Sequence, residues 1–78
     1  MTTTTEERVS LDSTTLAVAT YDGRRGRLEL DFRDGTRYIY FAVTPDVFRD
    51  LLRATSKGSF FNRHIRGRFP YAKTDNEN

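Results

Sequence analysis

The residues with most chemistry to offer sit together late in the chain, in Lys57-Gly58-Ser59-Phe60-Phe61-Asn62-Arg63-His64-Ile65-Arg66-Gly67-Arg68. Guanidinium forks match phosphate oxygens bidentately, and an ammonium serves them as a point charge. If the segment is helical, Ser59 and Arg63 fall four apart, as do Asn62 and Arg66, with Arg63 and Arg66 three apart. That spacing gathers the basic groups along one exposed side, opposite Phe61 and Ile65. Lys57 and Gly58 then stand at the helix start, where unpaired backbone N–H groups favour an anion. Lys57, Asn62, Arg63, Arg66 and Arg68 are accordingly the candidate anion-binding residues. The competing structural role for Arg66 is a hydrogen bond to a backbone carbonyl, or to a carboxylate such as Asp31.

The charge is unevenly spread. The 78 residues carry a formal net charge of only +2. Between Leu51 and Lys73, however, there is no Asp or Glu, while Arg53, Lys57, Arg63, Arg66, Arg68 and Lys73 supply six positive charges. The net charge conceals that local field, which is either a solvated face or a surface for an anion. Phe60, Phe61, Phe69 and Tyr71 interleave with the basic residues, and burial is the first expectation for most of them. A chain this short, with no cysteine to staple it, must draw its stability from aromatic packing.

The same stretch offers little for catalysis. His64 is the single histidine, and without a second imidazole or a cysteine it cannot build a usual zinc site. Ser56 or Ser59 beside it on one helix would not give the nucleophile–base–orienter geometry of a triad. No glycine-rich phosphate loop links a strand to a helix, so no nucleotide cofactor is implied. A fold of this size also struggles to enclose a pocket of about 300 Å³ or more. The expectation is a binding module with no catalytic residues, no metal and no cofactor.

These residues need a scaffold, and the pattern predicts an α+β one. Leu16–Tyr21 is β-prone, and Asp22-Gly23-Arg24-Arg25-Gly26 marks a turn. Arg27–Arg33 alternates strictly, with Leu28, Leu30 and Phe32 on one side and Arg27, Glu29, Asp31 and Arg33 on the other. Asp34-Gly35 predicts a two-residue hairpin turn into a third strand, Thr36–Val43. Thr44 and Pro45 then open a helix, with Thr44 available as a cap and Val47, Phe48, Leu51 and Leu52 forming its apolar stripe. A second short helix is predicted over Ser59–Arg66, ended by Gly67. Phe69-Pro70-Tyr71 must be extended before the proline and could add an edge strand. The result is a three-stranded antiparallel meander, two short helices and an extended C-terminal segment, in the order βββαα. The domain is expected over residues 15–73, with flexible tails at 1–14 and 74–78.

The third strand leaves its orientation open. Either Ile39, Phe41 and Val43 face the core, which exposes Tyr38 and Tyr40 as a stacking platform, or the tyrosines are buried and their hydroxyls need partners. Tyr38 and Tyr40 therefore join the candidate nucleic-acid-binding residues on that condition.

Tyr38-Ile39-Tyr40, then Val43 and Pro45, then Ser56-Lys57-Gly58-x-Phe60-Phe61-Asn62-x-x-Ile65-Arg66 and a closing Phe69-Pro70-Tyr71, resemble the KTSC domain family. The resemblance runs from about Ser13 to Lys73, and its specific part is the Lys-Gly-x-Phe-Phe-Asn block with its trailing Arg. The family is named for its place at the C-terminus of some lysyl-tRNA synthetases and also occurs as a small stand-alone bacterial protein. The resemblance implies no catalytic residues. Through the synthetases it suggests RNA, by analogy rather than mechanism.

Two functions follow as expectations. One is an RNA-binding or tRNA-binding module that uses the basic surface of the second helix. The other is an accessory module that docks on a larger protein through a strand edge or Phe-Pro-Tyr, with the basic residues as rim charges. No apolar run reaches membrane-spanning length and no charged-then-apolar leader opens the chain, so a cytoplasmic location without a membrane is expected.

Overall fold

The structure, a computed structural model, describes residues 6–74. Five antiparallel strands form one sheet in sequence order: β1 (Glu6–Ser10), β2 (Leu16–Asp22), β3 (Arg27–Phe32), β4 (Arg37–Tyr40) and β5 (Tyr71–Thr74). Between β4 and β5 the chain forms helix α1 (Pro45–Arg53) and a short helix α2 (Lys57–Phe60), which runs into a π-helical turn, Phe61–Ile65. The class is α+β, but the sheet is wider than the three predicted strands.

Register fixes the two faces. Val9, Ala19, Leu30, Tyr38 and Lys73 lie opposite one another from β1 to β5, and so do Glu7, Tyr21, Leu28, Tyr40 and Tyr71. Directly opposed residues share a face, and here that face is the covered one: Leu28 and Leu30 are fully buried, with Ala19, Tyr21 and Tyr40 beside them. A register shift between Leu16 and Val18 turns Leu16 inward as well. The other face carries Glu29, Asp31, Arg37 and Ile39. There Arg37 pairs with both acids across the β3–β4 ladder.

The helices close the core from one side. Phe48 and Leu51 of α1 are buried, with Val47 and Leu52 packed at their margins, and the Phe48 ring stacks on Tyr21 at 4.8 Å. Tyr21 donates its hydroxyl to the Val43 carbonyl at 2.6 Å, which ties β2 to the segment leading into α1. Thr44 caps α1 through its backbone alone. Its carbonyl accepts from Val47 and Phe48, while its side chain makes no capping bond. Phe61 and Ile65, four residues apart as predicted, are both buried.

Several sequence expectations need correction. The N-terminal stretch is not simply a tail: Glu6–Ser10 pair along all of β1, and Leu11 is 4% exposed in the core. Arg33, which the alternation sets on the side opposite Leu28, Leu30 and Phe32, holds that stretch by donating from Nε to the Ser13 carbonyl and from Nη2 to the Leu11 carbonyl, both at 2.9 Å. Residues 1–5 and 75–78 lie outside the described residues, and Thr74 belongs to β5 rather than to a tail. The β3–β4 hairpin has a three-residue loop, because the Phe32 N–H donates to the Thr36 carbonyl around Arg33, Asp34 and Gly35. The third predicted strand stops at Tyr40. Ala42 takes a positive φ of 63°, and Phe41 is turned out to solvent.

Candidate functional site

The second helix does not carry its basic residues as an ideal α-helix would. The Arg66 N–H donates to the Phe61 carbonyl, five residues back, at 2.8 Å. That bond closes the π-turn and brings Arg66 out of the helix into extended backbone. The Arg68 N–H then reaches the Ile65 carbonyl at 3.0 Å across a tight turn, with Arg66 and Gly67 at its corners. Gly67 has φ +75°, the value a type II turn demands at its second corner and a side chain resists. Arg66 is thus displayed on a turn rather than in a helical row with Arg63.

Where Arg66 emerges, an open groove with a cavity volume of ≈ 410 Å³ lies against the β4–β5 end of the sheet. Its apolar wall is aromatic: Phe32, Tyr38, Tyr40, Phe61 and Tyr71. Tyr38 and Tyr71 lie nearly parallel with centroids 5.6 Å apart, and Tyr40 and Tyr71 are 5.7 Å apart at a tilt of 32°. Phe61 meets Tyr40 and Phe32 edge-on at 5.8 and 5.2 Å. The polar rim is Arg66, Asp34 and Thr36. Neither Arg66 nor Tyr71 has an ion pair or side-chain hydrogen bond among the described residues.

The tyrosine question receives a graded answer. Tyr40 is 2% exposed, Tyr38 is half-buried and Tyr71 is 59% exposed. Burial, then the neighbouring Tyr38 and Tyr71, pushes the Tyr40 hydroxyl up to about 12, against a smaller opposing pull from Arg66. Among the described residues that hydroxyl has no hydrogen-bond partner, yet no buried side-chain polar atom there lacks one. The ring is therefore sealed while its oxygen reaches the groove. Tyr71 departs from the expectation that the C-terminal aromatics are mostly core, because it sits on β5, the edge strand of the sheet among the described residues.

The other candidates separate. Lys57 is half-buried and donates from Nζ to the Ala54 carbonyl at 2.9 Å. It lines a second, strongly polar groove of ≈ 400 Å³ together with Asn62, Ser56, Ser13, Thr15 and Asp12. Arg63 and Arg68 are exposed and line neither groove. His64 lies against Phe60 with ring centroids 4.6 Å apart. The expected single basic surface is in fact three separate placements, and Arg66, Tyr38 and Tyr40 are the candidates that one site unites.

Lys73 was legible in the sequence only as one of six charges. It lies opposite Tyr38 across the β4–β5 ladder, on the groove's face of the sheet. Its charge helps lower the Asp34 carboxyl. Period two from Tyr71 to Lys73 is the signal that joins them.

Comparisons with known proteins agree with this architecture. The KTSC domain family matches residues 12–69. A protein of Tsukamurella paurometabola is 41% identical over 59 residues, covering 76% of this chain and 88% of its own length. A lysine–tRNA ligase of Nostoc punctiforme is 41% identical over 51 residues, which cover 65% of this chain but only 9% of the ligase. The crystal structure of a KTSC domain protein from Yersinia pestis is similar with a TM-score of 0.83 and 31% identity, over 88% of this chain and 97% of that one.

Proposed function

The chain belongs to the KTSC domain family, and on that premise we propose that it is a small non-catalytic module that binds single-stranded RNA. The aromatic groove seats an unpaired base against Tyr71 and Tyr38, while Arg66 takes a phosphate. The observation that supports this most is the exposed Tyr71 ring beside an unpaired guanidinium, in a groove of the size a small ligand needs. The outer face of the sheet is a poorer choice, since Arg37 there is already engaged by Glu29 and Asp31. Similarity to a segment of lysine–tRNA ligases supports tRNA as one source of such RNA.

Fluorescence anisotropy with a labelled single-stranded RNA, a DNA of the same sequence and a tRNA tests the reading. If Arg63, Arg66, Arg68 and Lys73 neutralise about four phosphates, log K falls with log salt at a slope of about −3. Binding no tighter than about 100 μM at low salt, the weak end of non-specific affinity, overturns it.

Docking on a larger protein is the alternative reading, supported by the exposed Phe41 and Tyr71 and by the outer strand edges of β1 and β5. Removing the charges of Arg63, Arg66 and Lys73 separates the two. RNA binding collapses, whereas capture of a protein through an apolar anchor survives.

A further inference from the structure

The aromatic groove is chemically lopsided. Arg66 stands at the Tyr40 end, where its charge bears on the Tyr40 hydroxyl. Asp34 stands toward Tyr38, in the hairpin loop that leads into β4. Thr36 donates both its backbone N–H and its hydroxyl to Asp34 Oδ1, at 3.0 and 2.8 Å. Those bonds orient the carboxylate and leave Oδ2 without a hydrogen bond among the described residues. They also lower the Asp34 carboxyl below its ordinary range, with Lys73 assisting, so the group is ionised near neutral pH.

An ionised carboxylate accepts hydrogen bonds and donates none. It disfavours a phosphate seated inside the groove at that end. Lys73, whose charge also bears on Asp34, is not among the lining residues, which leaves Arg66 as the anion end within the groove and Asp34 as the end for hydrogen-bond donors. From this polarity we infer that the groove selects guanine among the RNA bases, with the N1–H and 2-amino group on Asp34 and the phosphate on Arg66. The inference rests on the RNA-binding reading above. Guanine presents those two donors side by side on its Watson–Crick edge, where the two lone pairs of the free Oδ2 can accept both. Adenine and cytosine each set a single amino group beside a ring-nitrogen acceptor, and uracil sets N3–H between two carbonyls. Each of these brings an acceptor up to the carboxylate and loses by repulsion what its donor gains.

The test uses the full chain and four labelled pentaribonucleotides that differ only in a central base flanked by uridines. The guanosine pentamer is expected to bind about tenfold more tightly than the other three, a modest return for a paired-donor contact at an open site. Inosine at the centre keeps N1–H but lacks the 2-amino group, and is expected to lose most of that advantage. Because this comparison uses the unaltered protein, it holds whatever a substitution does to folding. Asp34→Asn should abolish the difference between guanosine and the other three pentamers, lowering the guanosine pentamer and easing the others, because the repulsion leaves with the charge. Equal affinities for all four bases, or a guanosine preference that survives both inosine and Asp34→Asn, overturns the selection while leaving the RNA-binding reading in place. Failure of every pentamer to bind overturns both.

Discussion

Lys73 faces Tyr38 across the β4–β5 ladder, so the last described lysine shares a face with the aromatic row rather than with solvent alone. Arg66 lines the same groove, and the row is thus flanked by two cations. Lys73→Ala should weaken single-stranded RNA binding and flatten the log K–log salt slope by about 0.7, the share of one phosphate contact on a single strand. Anisotropy titrations at three salt concentrations check this. An unchanged slope would show that Lys73 touches no phosphate.

Tyr71 and Tyr40 are neighbours in the groove and opposite in kind. The Tyr71 ring is mostly exposed but stacks with Tyr38 and Tyr40, so Tyr71→Ala should cost no more than about 1 kcal/mol of stability, the worth of a cross-strand aromatic pair. It should still cost about 1–3 kcal/mol of RNA binding, the worth of one stacked base. Tyr40→Ala empties a buried site and should cost about 3–5 kcal/mol of stability, as large aromatic truncations do. Urea melts beside binding titrations on both variants separate the roles. A loss as large as that of Tyr40→Ala would place the Tyr71 ring among the structural aromatics.

The N-terminal segment yields a third prediction. Leu11 is buried, its N–H donates to the Ala17 carbonyl at 2.8 Å, and Arg33 clamps the carbonyl on its other side. Leu11→Ala should cost about 2–5 kcal/mol in a urea melt, the range for a buried leucine. A cost near zero would return this stretch to the status of a tail.

How much of this was legible in the residues depends on where the deciding force lies. β3 was readable because Leu28, Leu30 and Phe32 alternate with charged residues, and burial follows that alternation. β4 was not, since Tyr38-Ile39-Tyr40 is apolar on both sides. Its facing was decided by register, which sets Tyr38 against Leu30 and Tyr40 against Leu28. β1 carries one apolar residue, Val9, so no period marks it, and its strand state comes from pairing with β2. The arginines of the second helix were readable as basic, but their grouping was not. A single five-residue hydrogen bond from Arg66 to Phe61 re-aims Arg66 into the groove and parts it from Arg63. Helical spacing presumes 3.6 residues per turn throughout, and that presumption fails where the π-turn begins.

Gly26 is the pivot between the β2–β3 turn and the segment before α1. It has φ +64°, accepts the Val43 N–H at 2.8 Å, and a Cβ there would come within 3.3 Å of the Val43 carbonyl oxygen. Gly26→Ala should cost about 1–2 kcal/mol from the left-handed backbone alone, with the close approach adding to it. A chemical-denaturation midpoint equal to that of the unaltered chain would contradict the tight approach.

Stability should also respond to alkali through Tyr40. Its hydroxyl is raised to about 12 in the folded chain, chiefly by burial, against an ordinary value near 10 for an unfolded tyrosine. A group whose folded value is raised leaves stability intact below the unfolded value and removes it as the pH climbs through the folded one. The fold should therefore hold steady up to about pH 10 and lose stability by about pH 12, by at most about 2 kcal/mol since the oxygen opens on the groove and solvent screens it, after which this contribution levels off. Tyr21 adds a loss of the same sign, since burial and then Asp22 raise its hydroxyl too. Thermal melts followed by circular dichroism from pH 9 to 12 measure the sum, and Tyr40→Phe isolates one part. The Tyr40 hydroxyl has no hydrogen-bond partner among the described residues, so the phenylalanine costs little near neutral pH and should flatten the alkaline fall without abolishing it. Superimposable profiles for the two proteins would mean that Tyr40 ionises as freely folded as unfolded, and that its oxygen lies in bulk water rather than at the mouth of an aromatic groove.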